Sequence, residues 1–277
     1  MAQTATVQDT RRCRALVTGA STGLGAVFAT ALARQQYDLT IVARSRERLE
    51  VLAGRLRQNY EIAVEVVVAD LTHSTVLHTV EERVAGDNAL ELLVNNAGFG
   101  TTGSFARLDP EQEEAEIRLN VLALVRLTRA ALPGMIARGR GAIINVSSLA
   151  AFAPGPYDAT YSATKAFVNS FTEALHEELC DTGVHVQTLC PGFTYTEFQQ
   201  RAGIDIAKIP TFAWMTPEAV VDASLRALQR RQVVCVPGLG NRLLALLMGA
   251  APRRLVRRVS GLLAHRVLGG DGYSGSG

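Results

Sequence analysis

The chain has 277 residues, of which 48% are hydrophobic and 19% are charged, and its formal net charge is +2. This composition provides enough apolar side chains for a buried core and excludes an intrinsically disordered chain. The small net charge argues against nucleic acid as the main partner. No uninterrupted run of about 18 apolar residues occurs, so we expect no membrane-spanning segment.

The four cysteines are scattered, without the spacing of a zinc site or of a disulfide framework. The five histidines also lack the spacing of metal ligands, so we expect no metal site. Residues 1–14 contain no apolar segment typical of a signal peptide. These features together predict a cytoplasmic protein in a reducing environment.

Short runs rich in β-branched residues alternate with longer amphipathic segments. The predicted strands are residues 15–19, 39–44, 64–70, 90–96, 142–148, 184–190 and 233–236. The predicted helices between them include residues 26–36, 46–58, 75–85, 111–138 and 163–180. Strands that are apolar throughout are typical of a parallel sheet with helices on both faces. We therefore predict a single α/β domain with a Rossmann-like, doubly wound parallel sheet of about seven strands.

The first predicted strand runs into a glycine-rich turn, TGASTGLG, at residues 18–25. Gly19 permits a tight turn, and Gly23 and Gly25 would let a pyrophosphate approach the start of the next helix. A plain strand-to-helix turn is the alternative, but three glycines at the first βαβ boundary favour dinucleotide binding. The candidate cofactor site also includes the other residues of this turn, Ser21, Thr22 and Leu24.

The second predicted strand ends in Ala43 and Arg44, where NAD-binding proteins usually place an acid for the ribose hydroxyls. The missing carboxylate removes repulsion against a 2′-phosphate, which a guanidinium can bind in bidentate fashion. This favours NADP(H) over NAD(H). The alternative is that Arg44 only solvates a loop or pairs with Glu47.

The third predicted strand ends in Asp70, followed by Leu71, and we assign both to the candidate cofactor site. The carboxylate of Asp70 has two interpretations. It accepts a hydrogen bond from the adenine amino group, or it caps a helix that starts near Thr72. The sequence leaves both open.

Tyr161 and Lys165 lie four residues apart in a chain with only two lysines and twenty-six arginines. Four residues make about one helical turn, so both side chains would share a face of the predicted helix. Taken alone, such a pair is more often an accidental feature of an exposed helix. The motifs elsewhere in the chain decide whether this pair is accidental or functional.

These motifs lie at the ends of the predicted strands. Residues 95–98 lie at the end of the fourth strand, residues 147–148 at the end of the fifth strand and residues 191–192 after the sixth strand. With the glycine-rich turn, Asn120 and the Tyr161–Lys165 pair, they span residues 15 to about 200. Each motif is weak alone, but the ordered set is specific. It resembles the short-chain dehydrogenase/reductase family, in its single-domain branch.

The resemblance implies four catalytic residues. Tyr161 would be the general acid in carbonyl reduction and the general base in alcohol oxidation. Lys165, together with the positive nicotinamide, would lower the tyrosine pKa from about 10, and Lys165 would also hold the nicotinamide ribose. Ser148 would hydrogen-bond the substrate carbonyl oxygen. Asn120, in the long helix after the fourth strand, would complete a proton relay through water to Lys165, unless it is only a polar residue on a helix flank.

The resemblance also extends the cofactor site along the later strands. Asn96, Ala97 and Gly98 would pack against the adenosine side of the cofactor. Pro191 and Gly192 would turn the chain past the nicotinamide. Thr194 and Thr196 would reach the carboxamide and the diphosphate.

The segment 193–215 occupies the place of the substrate loop in this family and holds aromatic and aliphatic residues with few charges. It predicts a hydrophobic substrate, or it only covers the core beneath it. We accordingly divide the chain into an extension (1–13), a reductase core (14–237), a helical C-terminal extension (238–268) and a flexible tail (269–277).

The C-terminal extension lacks acidic residues from Ala223 to Gly270 but carries several arginines. Its pattern resembles a bacterial subgroup of short-chain reductases related to eukaryotic steroid and 3-ketoacyl-CoA reductases. Its apolar stretches would pack on the domain or on a partner subunit, which we favour over an anionic membrane surface. The family resemblance implies a homodimer or a homotetramer.

We therefore expect an NADP(H)-dependent oxidoreductase that acts on the carbonyl or secondary alcohol of a hydrophobic small molecule. The alternatives are an NAD(H)-linked alcohol or steroid dehydrogenase, a non-catalytic dinucleotide-sensing protein and a membrane-surface scaffold.

Overall fold

The computed structural model describes residues 12–198 and 210–267. Its strands form one parallel sheet of seven strands in the order β3-β2-β1-β4-β5-β6-β7. The predicted doubly wound sheet of about seven strands is thus confirmed. The strands are β1 Arg14–Thr18, β2 Asp38–Ala43, β3 Val64–Val68, β4 Leu90–Asn95, β5 Gly141–Val146, β6 Val184–Leu189 and β7 Val234–Cys235.

Helices cover both faces of this sheet, because successive strand residues point to opposite sides. Leu16 lies in the core beneath α3, α5 and α6, whereas its neighbour Val17 lies in the core beneath α1, α2 and α7. The helices are α1 Gly23–Arg34, α2 Arg46–Tyr60, α3 Ser74–Gly86, α4 Pro110–Ile117, α5 Leu124–Ala137, α6 Ala159–Glu178, α7 Pro217–Gln229, α8 Leu239–Ala250 and α9 Arg253–Val267.

The sequence predicts one continuous helix over residues 111–138, but the structure interrupts it. A π-helical segment, Arg118–Ala123, separates α4 from α5 and contains Asn120. Wider π turns inside α-helices occur frequently at functional sites. The single predicted helix is therefore wrong in detail, and the difference concerns a candidate catalytic residue.

By length and hydropathy alone, the helical stretch Pro110–Ala137 could cross a membrane, although 44% of its most apolar window is buried inside the protein. The core helix of a globular domain passes the same test. Here α5 packs against α3 and β4. Its apolar character therefore has an explanation within the fold.

The C-terminal extension packs on the domain through one side. Ala245 of α8 lies against Cys190 and Val236, and Leu149 and Phe152 cover the same cluster. The outward side of α8 leaves five leucines exposed, namely Leu239, Leu243, Leu244, Leu246 and Leu247. The predicted flexible tail, residue 268, residues 1–11 of the predicted N-terminal extension and the loop segment 199–209 lie outside the described residues.

The start of α1 packs directly on the turn after β1. A Cβ atom at Gly25 would lie 2.2 Å from the carbonyl oxygen of Gly19 and 2.6 Å from Nδ2 of Asn96. Gly19 itself has φ +67°, a left-handed conformation that glycine adopts at little cost. Only glycine at position 25 therefore allows this helix and turn to meet.

Replacing Gly25 with Ala should lower the free energy of unfolding by about 3 kcal/mol, since the added methyl overlaps backbone atoms that are held from both sides. Urea unfolding would measure this. Gly54→Ala is the matched control, because a Cβ there meets no atom within 4 Å and the residue is exposed in α2. That control should gain roughly 0.5–1 kcal/mol, and equal effects of the two changes would contradict the packing argument.

Candidate active site

The candidate residues gather at the carboxyl edge of the sheet, where the strand order reverses between β1 and β4. The glycine-rich turn follows β1, residues 96–98 follow β4, residues 147–148 follow β5 and residues 191–192 follow β6. In open α/β sheets, ligands bind in the crevice at such a switch point. The fold thus brings motifs from distant parts of the chain to one place.

The first turn of α1 is suited to an anion. Thr22 is its N-cap residue but makes no side-chain capping bond, and the first turn contains no acidic residue. The leading N–H groups of a helix have no partners within the helix, and they attract phosphate. Ser21, Thr22 and Leu24 are half-buried around this turn, and Thr196 lies 3.3 Å from a Cβ built on Gly23. These residues fit the pyrophosphate of a dinucleotide.

The side chain of Asn96 forms hydrogen bonds within the protein that the sequence did not predict. Its Nδ2 donates to the carbonyl oxygens of Thr18 (2.8 Å) and Gly19 (3.2 Å). The hydroxyl oxygen of Thr18 in turn accepts from the backbone N–H groups of Asn96 and Ala97, each at 3.0 Å. This exchange joins the loop after β4 to the glycine-rich turn, so the side chain of Asn96 faces the protein.

The adenosine side is formed at the ends of β2 and β3. No acid ends β2, and the Arg44 side chain after it is 74% exposed, with Nη1 4.0 Å from Oδ2 of Asp70. Asp70 accepts from the backbone N–H and the hydroxyl of Thr72, at 3.0 and 2.7 Å. Burial opposes the charged form, but these bonds and the nearby arginine lower the pKa of Asp70.

The structure decides between the two interpretations of Asp70 only in part. The helix after β3 begins at Ser74, with His73 as its N-cap residue, so Asp70 turns the loop before the helix and does not cap the helix itself. Leu71 is buried at 4% exposure in the core beneath α3. Its side chain therefore stabilises the fold, and its assignment to the cofactor site stays a prediction.

Tyr161 and Lys165 share a face of α6, as their spacing predicts. The ammonium of Lys165 lies 5.6 Å from the centre of the Tyr161 ring and donates to the carbonyl oxygen of Val146 at 2.9 Å. Ser148 follows β5, hydrogen-bonds Tyr161 and accepts from the backbone N–H of Ala150 at 3.1 Å. The three residues therefore form one connected group.

Burial dominates the protonation of this group. It raises the pKa of Tyr161 above its usual value, and the hydrogen bond with Ser148 only partly offsets this. It lowers the pKa of Lys165 to about 8. The expectation that Lys165 lowers the tyrosine pKa is thus not met by the protein alone, because the cost of desolvating the phenolate exceeds the nearby attractions.

Both the oxygen and the nitrogen of the Asn120 side chain are hydrogen-bonded within the protein. Its Oδ1 accepts from the backbone N–H of Phe99 at 3.1 Å, and its Nδ2 donates to Phe99 O (2.8 Å) and to Thr164 Oγ1 (3.1 Å). A Cβ on Gly98 would lie 2.8 Å from Asn120 Oδ1 and 3.4 Å from Lys165 Nζ. Asn120 therefore reaches the neighbourhood of Lys165, while the water-mediated relay stays a prediction.

The residues after β6 lie on the other side of the crevice. The carbonyl of Pro191 accepts from Leu149 N at 2.8 Å, and buried Thr194 donates to the carbonyl of Gly192 at 3.0 Å. A Cβ on Gly192 would lie 2.6 Å from Asn241 Nδ2 of α8. The Thr194 hydroxyl is thus already bonded inside the loop, whereas Thr196 faces the glycine-rich turn.

Aromatic rings surround this side of the crevice. Tyr195 stacks on Trp214 with centroids 4.7 Å apart, and Phe193 contacts the same indole at 5.6 Å. The ring of Phe198 lies 5.5 Å from that of Tyr161. The predicted apolar loop therefore reaches Tyr161 within the residues described.

A buried polar network beneath the site escaped the sequence analysis. Asn95 Nδ2 donates to Asn145 Oδ1 (2.9 Å) and Thr128 Oγ1 (3.0 Å), and Asn145 Nδ2 donates to Thr172 Oγ1 (3.0 Å). The signal for this network in the sequence was an asparagine near the end of each of two neighbouring predicted strands.

In residues 12–198 and 210–267, no three His, Cys, Asp or Glu side chains are grouped to hold a metal ion.

Comparison with known proteins agrees with this geometry. The family model described as short chain dehydrogenase matches residues 14–206. A very-long-chain 3-oxoacyl-CoA reductase from Anas platyrhynchos is 34% identical over 232 residues, which cover 80% of this chain and 72% of that protein.

Two solved structures extend the similarity to the fold. A short-chain dehydrogenase from Sphingobium yanoikuyae in complex with NADPH has 39% identity and a TM-score of 0.80, covering 91% of this chain and 95% of that one. The bulky-bulky ketone specific alcohol dehydrogenase from Comamonas testosteroni has 31% identity and a TM-score of 0.76, covering 97% and 98%. With its residues 14–206 matched by the family model, this chain belongs to the short-chain dehydrogenase family and is an oxidoreductase.

Proposed function

We propose that this protein is an NADP(H)-dependent oxidoreductase that interconverts a carbonyl and a secondary alcohol on a hydrophobic substrate. One observation carries the proposal. Ser148, Tyr161 and Lys165 form a connected group beside a helix start that is suited to a pyrophosphate. A dinucleotide held across this crevice would supply or accept the hydride. The protein itself has to bind the dinucleotide, orient the substrate and move a proton.

Tyr161 acts as the general acid in reduction and as the base in oxidation. Its raised pKa keeps the phenol protonated before reaction, so it can donate to the oxygen that gains charge. Ser148 holds that oxygen in line with the phenol, which is the positioning part of the rate enhancement. Lys165, with its pKa lowered to about 8, is poised to exchange a proton near neutrality.

The cofactor preference rests on Arg44. Its exposed guanidinium stands after β2 without a neighbouring acid on that strand end, which suits a 2′-phosphate. The NADPH-bound Sphingobium structure, at 39% identity, supports this choice. NAD(H)-linked alcohol or steroid oxidation is the second candidate, and the weak contact between Arg44 and Asp70 is the observation that favours it, since Asp70 partly occupies the guanidinium.

The substrate class rests on the aromatic wall beside Tyr161. The ring of Phe198 packs against that of Tyr161, and the rings of Phe193 and Tyr195 pack on Trp214 in the same segment. Two relatives named for long-chain 3-oxoacyl-CoA and for bulky ketones support a large apolar carbonyl compound. A dinucleotide sensor would need only the cofactor half of the crevice, so the complete catalytic group argues against that alternative.

We further propose a homodimer or homotetramer in the cytoplasm, with no nucleic-acid partner. The exposed leucines of α8 would be buried by a second copy, and we favour this over a membrane surface. The matching length of the Comamonas enzyme supports placing the C-terminal extension in a subgroup of the family. Light scattering measures whether a second copy is bound, and vesicle flotation measures whether a membrane surface is bound. A monomer that floats with anionic vesicles would contradict the proposal.

Tyr161→Phe should lower kcat for carbonyl reduction by at least about 10³-fold, since the general acid is lost. NADPH affinity should stay nearly unchanged, because the ring and Lys165 remain. Steady-state kinetics and fluorescence titration measure the two effects. Tyr60→Phe in α2 is the control and should retain activity, while substantial turnover by Tyr161→Phe would overturn the assigned acid.

Arg44→Asp should weaken NADPH binding by about 10- to 100-fold, the size of a lost charge-assisted bond, while NADH binding weakens less. The fluorescence of Trp214, the only tryptophan, reports binding from its place beside the crevice. Arg55→Asp, an exposed arginine of α2, repeats the charge change elsewhere and should leave the ratio of the two affinities unaltered. An unchanged ratio in Arg44→Asp would contradict the phosphate-binding role.

A further inference from the structure

Two glutamates of α4 are buried beside the catalytic helix α6. Glu113 is 8% exposed and Glu116 is fully buried, although carboxylates rarely enter a core without a cationic partner. Among the described residues, nothing donates a hydrogen bond to Oε1 of Glu116. Nothing in the catalytic mechanism derived above uses either carboxyl group.

The hydroxyl of Thr101 lies between the two carboxyl groups. Glu116 Oε2 contacts both the backbone nitrogen and the hydroxyl oxygen of Thr101, each at 2.9 Å. The same hydroxyl oxygen contacts Glu113 Oε1, and Glu113 Oε2 accepts from the hydroxyl of Thr160. These contacts form a continuous chain from Glu116 through Thr101 and Glu113 to Thr160.

A count of hydrogens decides the protonation of this chain. The Thr101 hydroxyl has one hydrogen and can donate to only one of the two carboxyl oxygens that it contacts. If both carboxyl groups were anionic, the second contact would place two oxygen lone pairs against each other. A proton on one carboxyl, donated to the Thr101 oxygen, removes this repulsion and gives each contact a hydrogen.

We propose that Glu113 and Glu116 share one proton, held mainly on Glu116, and that the protonated pair positions the loop of Thr101 against the helix that carries Tyr161. In this arrangement Glu116 donates to Thr101, Thr101 donates to Glu113, and Glu113 also accepts from Thr160. Every hydroxyl hydrogen in the chain then has an acceptor. Glu113 keeps the single negative charge and receives two donors.

The loop held in this way touches the catalytic residues. A Cβ on Gly100 would lie 2.8 Å from the Tyr161 ring, so this loop lies directly against the phenol. The Phe99 backbone is bonded to Asn120 on one side, and Gly103 N donates to Tyr157 O at 2.8 Å on the other. Loss of the chain would loosen one wall of the Tyr161 site.

The surrounding charges favour Glu116 as the proton holder. Burial raises its pKa to about 7, the bonds from Thr101 and the charge of Lys165 lower it, and Glu113 raises it. On α6 the facing titratable groups are Lys165 and Tyr161, and an anionic Glu116 would raise the pKa of both. A neutral Glu116 thus keeps a negative charge away from the phenolate that Tyr161 must form.

Infrared difference spectroscopy tests the shared proton without any assay of activity. The full-length protein at pH 6 should show the C=O stretch of a buried, protonated carboxyl, and Glu116→Gln should remove that band. Glu114→Gln, an exposed carboxyl of the same helix, should retain it. A spectrum unchanged by Glu116→Gln would overturn the proposal.

A second variant, Glu113→Gln, keeps the proposal testable if Glu116→Gln does not fold. Glu113→Gln removes the negative charge that raises the pKa of Glu116, so the band should disappear at a lower pH than in the unmodified protein. A band that titrates at the same pH in both proteins would show that the two carboxyl groups do not share a proton. That result would also overturn the proposal.

Stability against pH gives an independent measurement. The pKa of Glu116 rises from 4.5 to about 7 on folding, so its neutral form stabilises the fold below pH 4.5 and this contribution is lost as pH rises toward 7. The folding constant should therefore fall, relative to Glu116→Gln, by up to about tenfold per pH unit in this window. A difference between the two proteins that is independent of pH would contradict the raised pKa.

The positioning role rests on the proposed function, whereas the shared proton does not. The unmodified protein should lose kcat for carbonyl reduction as pH rises past 7, and Glu116→Gln should move that loss to higher pH with the KM for NADPH unchanged. Thr101→Val should lower kcat and Thr101→Ser should restore it. If the infrared band is present but no carbonyl compound is reduced, the proposed function fails; if turnover is normal and these kcat effects are absent, the positioning role fails.

Discussion

The hydrogen bond between Asn95 and Asn145 joins the carboxyl ends of β4 and β5, and the elements around it carry the candidate catalytic residues. The two residues are register partners in β4 and β5, and their amides extend to Thr128 of α5 and Thr172 of α6. Leaving one such buried group unpaired costs about 1–3 kcal/mol. The network therefore fixes four elements relative to one another.

The four elements joined by this network carry the residues of the candidate active site. The strand β4 leads to Gly98, β5 leads to Ser148, and α6 presents Tyr161 and Lys165 on one face. A shift of α6 along the sheet would separate the phenol of Tyr161 from Ser148. Hydrogen bonds between polar groups of fixed geometry resist such a shift better than apolar contacts, which are not directional.

Burial is the second constraint, and it favours the neutral forms of three titratable groups around α6. It raises the pKa values of Tyr161 and Glu116 and lowers that of Lys165, so each is moved toward its neutral form. A site in this state responds strongly to a charge placed within it, because little water is present to screen that charge. The cofactor and the oxygen that gains charge in the reaction would introduce such charges, which links binding to proton transfer.

The sequence by itself determined the fold class, the seven strands and the shared helix face of Tyr161 and Lys165. Apolar runs of strand length have few alternatives to a parallel sheet, and Tyr161 with Lys165 at one helical turn must share a face. Local rules of this kind require no knowledge of distant contacts. The tertiary structure alone decided that Asn96 turns inward, that Leu71 is buried, that a π segment carries Asn120 and that Glu113 and Glu116 meet at Thr101. These depend on which side chains come together across the fold, because desolvation and hydrogen-bond partners are properties of that assembly and of no single stretch of the chain.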